Sequence, residues 1–249
     1  MIQAILLAGG KGTRLAPLTD HLPKPLVTIH GKPMMQYVLE HLRAAGITNV
    51  AVSVAHLGHL IEQEFGDGSE LGMTLTYLRE PEPMGTGGWA MLANWDALDD
   101  HFFVVNADNL FWIDLQAFMQ RHRATNAIAT IAGTELPSSD IVNYEILRTD
   151  EERERLLGYI DRTQSAKELE GRASGHINTG WYIMTKDVRQ FVDTTLPFSN
   201  EVHLLPRIAA SGHPVGFYHA TEPWFDSGTH ERLVRVASFI EKHILAPQS

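Results

Sequence analysis

An apolar run, Ile2 to Ala8 with Gln3 as its one polar residue, empties into a glycine-rich, basic stretch, Gly9-Gly10-Lys11-Gly12-Thr13-Arg14. A run without polar alternation reads as a strand buried on both faces, and such strands belong to sheets covered by helices on both sides. Glycines directly after that strand let backbone N–H groups approach a ligand closely and form an anion-binding nest. Arg14 and Lys24 add fixed positive charge suited to phosphate oxygens. The loop lacks the Gly-Lys-Ser/Thr ending of a Walker A motif and is not a Gly-x-Gly-x-x-Gly dinucleotide fingerprint. Taken alone, it also fits a plain turn carrying two solvated basic residues.

The rest of the first half alternates two periodicities. Strands are predicted over Asn49–Ala55, Thr74–Leu78, His101–Val105 and Ala127–Ile131. Helices are predicted from Pro33 to Gly46, over Leu57–Phe65, over Thr86–Trp95 and from Asp114 to His122. This order implies an α/β sheet, mixed but mostly parallel, with helices on both faces and ligands bound beyond the carboxyl ends of its strands. The second half is less regular. Strands are expected at Ile141–Leu147, Leu156–Ile160, Ile177–Met184 and Val215–Tyr218. Helices are expected at Asp187–Val192 and Glu201–Ala210, with an amphipathic closing helix from Thr229 to Ile244. No repeat or linker interrupts the pattern, so one domain is expected over 1–249. Its first part spans about 1–135, its less regular second part about 136–228, and its closing helix about 229–245.

Charge and composition narrow the chemistry. Thirty acidic against twenty basic side chains leave a net charge of −10, which argues against general nucleic-acid or membrane-surface binding. The absence of cysteine removes disulfides, thiolate catalysis and Cys-based metal sites. His56 and His59 are spaced like partners on one helix face, but no third ligand is patterned around them, and a surface role is expected. Neither a leader nor an apolar run approaching the ~18 residues of a membrane span is visible, so a cytoplasmic setting is expected.

Leu7-Ala-Gly-Gly-Lys-Gly-Thr-Arg-Leu-Ala-Pro-Leu-Thr19, followed by Pro23-Lys24-Pro25-Leu26, resembles the signature of the sugar-1-phosphate nucleotidylyltransferases. Further segments fall in the family's order along nearly the whole chain. They are Gly31-Lys32-Pro33-Met34, Glu82-Pro-Met-Gly-Thr-Gly-Gly88, Asn106-Ala-Asp-Asn109, Ile177-Asn-Thr-Gly180 and Trp224-Phe-Asp-Ser-Gly-Thr229. The resemblance implies a Rossmann-like nucleotide-diphospho-sugar transferase fold. It implies a reaction in which a sugar 1-phosphate attacks the α-phosphorus of a nucleoside triphosphate and pyrophosphate leaves. It also implies Mg²⁺ held by Asp108 and Asp226, Arg14 on the β- and γ-phosphates, and Lys24 nearer the α-phosphate. The nucleotide would lie against Leu7, Ala8, Gly9, Gly10, Gly12 and Thr13 from one side and Gly85, Thr86 and Gly87 from the other. The sugar phosphate would meet Asn109, Tyr144, Asp161, Arg162, Asn178 and Thr179. A homodimer is a further expectation of the family.

Departures keep the substrate open. Asp161-Arg162 stands where the family usually has Glu-Lys, and Tyr144-Glu145 where it has Tyr-Gly. The Gly85-Thr-Gly-Gly88 loop looks like that of guanylyl-transferring relatives for mannose or heptose phosphates, while Asp108-Asn109 looks like thymidylyl or uridylyl enzymes. Trp224 could border the sugar site. No left-handed β-helix or acetyltransferase activity is expected after the closing helix. Two alternatives stand beside the leading one. One is the same fold acting on a non-sugar phosphate such as phosphocholine, and the other is a non-catalytic nucleotide-sensing subunit.

Overall fold

A computed structural model describes residues 1–141, 144–150, 152, 154–160 and 164–245. The first half runs β1 (Ile2–Leu7), a short hairpin β2 (Thr28–Ile29) and β3 (Lys32–Pro33), α1 (Met34–Ala44), β4 (Asn49–Val54) and α2 (Gly58–Phe65). It continues with β5 (Thr74–Arg79), α3 (Trp89–Leu92), β6 (Leu98–Asn106), β7 (Asn109–Phe111), α4 (Leu115–Ala124) and β8 (Ala129–Pro137). The second half runs α5 (Ser138–Ile141), β9 (Ile146–Asp150), β10 (Arg155–Ile160), α6 (Ser165–Glu168) and β11 (Ser174–Thr185). It ends with α7 (Leu205–Ala210), β12 (Val215–His219), β13 (Trp224–Asp226) and α8 (His230–Ile240).

One sheet of nine strands carries both halves, in the order β5-β4-β1-β6-β11-β8-β12-β10-β9. The fold is thus α/β with a mixed sheet. Its parallel part is β5-β4-β1-β6; beyond β6, among the described residues, only the β12–β8 pair is parallel. The mainly apolar runs follow from this burial. Ala4 and Leu6 face one core, shared with Val50, Val52, Phe103 and Val105. Ile5 faces the other, with Ala51, Phe102, Val104 and the buried Trp89. Beyond β6 the long strand β11 pairs with β6 at its end and with β9 at its start. The circuit β11-β8-β12-β10-β9 therefore closes on itself, and a small third core of Ile141, Ile146, Ile160, Leu169 and Ile177 packs against β9, β10 and β11.

Several element boundaries differ from expectation. The Thr86–Trp95 helix shrinks to α3, Trp89–Leu92, because Gly85–Gly88 is spent on a loop and the Asn94 side chain accepts from Asp96 N to start a separate turn. The strand expected from Ile141 begins at Ile146, and Ser138–Ile141 forms a helical turn instead. The helix expected from Glu201 opens as a wider π turn over Asn200–Leu204, with the Ser199 side chain as its cap. The closing helix α8 starts where expected, with the Thr229 side chain accepting from Arg232 N–H as its cap, and gives way at Glu241 to a wider turn.

Candidate active site

The carboxyl ends of β1, β5 and β6 open onto one cleft made of two adjoining cavities. The first, about 400 Å³, is lined by Leu7, Ala8, Gly9, Gly10, Gly85 and Thr86, together with Lys11, Pro25, Glu80 and Pro83. The second, about 320 Å³, is lined by Arg14, Asn109, Tyr144, Glu145, Tyr159, Asn178, Ser199, Glu201, Trp224 and Asp226 among others. Lys24, Thr86, Asn106 and Asp108 line both and so mark their junction.

A small ribbon brings the two aspartates together. β13 pairs antiparallel with β7, setting Asp226 opposite Asn109, the neighbour of Asp108. The buried Ser227 ties the two loops by donating its hydroxyl to the Asp108 carbonyl at 2.5 Å. At the junction Lys24, only 6% exposed, donates to Asp108 Oδ2 at 2.6 Å. Asp226 accepts from the Arg232 guanidinium and, at 2.5 Å, from the Gly228 N–H. The Tyr144 phenol packs between these charges, with Arg232 4.5 Å above its ring. Burial, then the negative charge of Asp226, pushes its pKa up to about 12, so it stays a neutral hydroxyl. Arg14 and Arg232 act on the same phenol from the opposite sign, which puts Arg14, Tyr144 and Asp226 in one neighbourhood.

β11 supplies the third wall. Its register shifts between Asn178 and Tyr182, where Gly180 takes φ +76°; a β-carbon there would stand 2.4 Å from Asn106 Nδ2. Only glycine tolerates both the left-handed backbone and that approach, and the bend lets Asn106 and Asn109 reach over the strand. Asn109 Nδ2 donates to the Thr179 carbonyl at 3.0 Å, and Trp224 Nε1 donates to the same oxygen at 3.1 Å.

Not every residue singled out by its sequence motif faces the cleft. Gly12 sits under Lys24, where a β-carbon would meet the Lys24 β-carbon at 2.9 Å. Thr13 lines a neighbouring surface pocket with Lys11, Thr19 and His56. Gly87 is buried and donates its N–H to the Phe198 carbonyl at 2.9 Å. Thr179 is fully buried, its hydroxyl donating to the Ala132 carbonyl at 2.7 Å. Arg14 lines the second cavity rather than the glycine-lined one. Asp161 and Arg162 lie outside the described residues. His56 and His59 are exposed, and among the described residues no cluster of three or more His, Asp or Glu is arranged to hold a metal.

Sequence reasoning missed Glu80, Ser199, Glu201 and Tyr182. Glu80 accepts from the Ser53 hydroxyl at 2.7 Å and the Met84 N–H at 3.0 Å, which anchors the loop before Gly85. Nothing near Glu80 or Ser199-Asn-Glu201 marks them locally, because an acidic residue after a loop serine also reads as an ordinary helix cap.

Known proteins resemble the chain along most of its length. Residues 3–243 match the family model described as Nucleotidyl transferase. The chain is 32% identical over 235 residues to "Mannose-1-phosphate guanylyltransferase" of Mycobacterium tuberculosis, covering 94% of this chain and 63% of that one. It is 32% identical over 238 residues to "UTP--glucose-1-phosphate uridylyltransferase" of Synechocystis, covering 91% and 60%. It therefore spans about three fifths of the length of these two relatives. "D-glycero-alpha-D-manno-heptose 1-phosphate guanylyltransferase" of Aneurinibacillus thermoaerophilus is 31% identical over 206 residues, covering 83% and 84%. Among solved structures, HddC from Yersinia pseudotuberculosis complexed with GMP-PN superposes with a TM-score of 0.79 at 25% identity, covering 96% of this chain and all of that one. No helix among the described residues is long and apolar enough to cross a membrane. With the family model matched along nearly its whole length, the chain belongs to the nucleotidyl transferase family.

Proposed function

We propose that this chain transfers a nucleotidyl group from a nucleoside triphosphate to a sugar 1-phosphate and releases pyrophosphate. The observation that carries the reading is the Lys24–Asp108 pair at the junction of a glycine-lined cavity and a polar, aromatic-walled one. The first suits a nucleotide and the second a hydroxyl-rich acceptor. In the reaction an acceptor phosphate oxygen forms a bond to the α-phosphorus. The bond from that phosphorus to the oxygen bridging to the β-phosphate breaks, and pyrophosphate leaves with the electron pair. The nucleophile is already an anion and needs no base. What the protein must supply is alignment and cations against the charge that builds up.

In this reading Lys24, held nearly dry, neutralises charge at the reacting α-phosphoryl group. The resemblance gives Arg14 to the leaving phosphates, although the side chain lines the second, acceptor-side cavity. Asn109, Asn178 and Tyr144 offer hydrogen bonds to the acceptor. Asp108 and Asp226 would hold Mg²⁺. Their donor set fits, since that ion binds through one or two carboxylates plus substrate phosphates and retained waters. When bound, it would lower the repulsion between the two anionic substrates. Guanosine triphosphate and a manno-configured acceptor lead the assignment, supported by the names of two similar proteins. Uridine and thymidine triphosphates remain alternatives. A cytoplasmic setting and a homodimer belong to the same proposal and rest on the resemblance alone.

The test is a matrix of pyrophosphate release, with each triphosphate against mannose, heptose and glucose 1-phosphates and phosphocholine. Release with a triphosphate and a sugar 1-phosphate is expected. Release with phosphocholine alone would move the acceptor out of the sugars. Tight triphosphate binding without release from any acceptor would turn the reading into nucleotide sensing.

A further inference from the structure

Glu201 lies on the floor of the second cavity, 7% exposed, and its carboxylate takes three hydroxyl donors. Thr86 Oγ1 reaches Oε2 at 2.5 Å, Ser199 Oγ reaches Oε2 at 2.6 Å, and Tyr182 OH reaches Oε1 at 2.5 Å. Each of these hydroxyls already accepts another bond. Thr86 Oγ1 accepts from the Asn200 N–H at 3.0 Å, Ser199 Oγ from the Glu201 and Val202 N–H groups at 3.1 Å, and Tyr182 OH from Asn178 Nδ2 at 2.7 Å. The groups they accept from can only donate, so each hydroxyl proton has the Glu201 carboxylate as its nearest acceptor (Ser199 Oγ stands farther from Thr86 Oγ1, at 3.4 Å), and the position favours a group that only accepts.

The chain of bonds crosses the cleft. Thr86 belongs to the loop lining both cavities, and Asn178 belongs to β11 on the acceptor wall. Thr86 and Tyr182 come from distant parts of the chain and meet through this carboxylate. Asn200 reinforces the loop end by donating Nδ2 to the Thr86 carbonyl at 2.8 Å.

We infer that Glu201 is a positioning residue. It locks the nucleotide-side loop Met84–Gly88 to the acceptor-side wall at Asn178–Tyr182, so that the two substrates are held in one register. The inference rests on the proposed transfer reaction for its kinetic arm only.

Hydrogen exchange and kinetics on the full chain test it. Glu201→Gln replaces one acceptor oxygen with an amide that can only donate, so one side of the network must break. Exchange is expected to rise at least about 10-fold in both Met84–Gly88 and Asn178–Tyr182, with β1 and β4 unchanged. Turnover should fall about 10- to 100-fold, the scale of a small misplacement, with the KM of each substrate within about 3-fold. Tyr182→Phe keeps the ring and removes only the hydroxyl. Faster exchange at Met84–Gly88 in that variant must travel through Glu201, and it decides the matter even if Glu201→Gln does not fold. Exchange confined to residues 198–204, or turnover unchanged within 2-fold, overturns the inference. Absence of pyrophosphate release in the unmodified chain sinks the transfer reading instead, and the exchange result still decides on Glu201.

Discussion

Lys24 shows how one residue can carry both structure and chemistry. Its ammonium is nearly buried and meets a partly exposed carboxylate, so it is a pinned charge rather than a mobile surface lysine. Replacing it with alanine removes the cation from the cavity junction and leaves Asp108 without its partner. We expect Lys24→Ala to lower turnover by about 10²-fold or more, the scale of one lost electrostatic stabiliser; an unchanged rate of pyrophosphate release would take Lys24 out of the site. Asp108→Ala and Asp226→Ala should act alike, and chelation of divalent ions should abolish release until magnesium is restored. Full activity in excess chelator would remove the metal from the proposal. Gly180 works differently, through space. Gly180→Ala puts a methyl group against the Asn106 amide in a left-handed backbone, and a cost of about 2 kcal/mol follows from the backbone alone. Denaturant midpoints should register that loss, and turnover should fall with it, because Asn106 and Asn109 would be displaced from the cleft.

Elements differ in how far their own residues dictate them. Helix α1 ends where local chemistry says it must. Gly46 has φ +84°, its N–H donates to the Arg43 carbonyl at 2.9 Å, and Ile47 N–H donates to the Leu42 carbonyl at 3.0 Å, the double closure of a Schellman turn. Gly46→Ala should cost about 1–2 kcal/mol while leaving turnover intact, since this turn leads into the amino end of β4 and the cleft opens at carboxyl ends; a matched loss of turnover would show that the end of α1 is coupled to the site. The buried strands β1, β4 and β6 were legible for a similar reason, since burial on both faces leaves no polar alternation to mistake. The glycine loop and the ordered motifs likewise pointed to one cleft. The ribbon β7–β13 was not legible. Three residues from each of two distant segments pair there, and nothing local distinguishes such a pairing from two turns. Nor was the closure of β11 onto β9 legible, because two residue pairs, His176 with Leu147 and Ile177 with Ile146, make it between strands that β10 and α6 separate in the chain. The ribbon has its own test. Ser227→Ala deletes the bond to the Asp108 carbonyl, worth about 1 kcal/mol in stability. Turnover should fall several-fold further than that loss explains, because both aspartates ride on the ribbon.

Across the whole molecule, a buried histidine relay ties the sheet to α4 at a distance from the cleft and sets how the fold responds to acid. His122 is fully buried on α4; its Nδ1 lies 2.7 Å from Thr130 Oγ1 on β8 and its Nε2 lies 3.0 Å from His101 Nδ1 on β6. A neutral imidazole satisfies both contacts by donating at one nitrogen and accepting at the other, whereas a charged one would have to donate at both. Burial, then the neighbouring His101 and Arg123, lowers the His122 pKa to about 4 from its ordinary 6.5. Between those two values the unfolded chain takes up a proton that the folded chain refuses, so stability is full above about pH 6.5 and drains away as the pH falls toward 4. From pH 7 to pH 5 this single group should account for a loss of about 2 kcal/mol. His122→Gln, which keeps a donor and an acceptor but cannot titrate, should begin less stable at pH 7 and lose about that much less on acidification. Denaturant midpoints at both pH values check it: parallel pH curves for the two proteins would show that the acid response comes from other groups. Because the relay and the cleft sit on different parts of the sheet, the variant should keep its pyrophosphate release at pH 7, which separates the stability of the scaffold from the chemistry it carries.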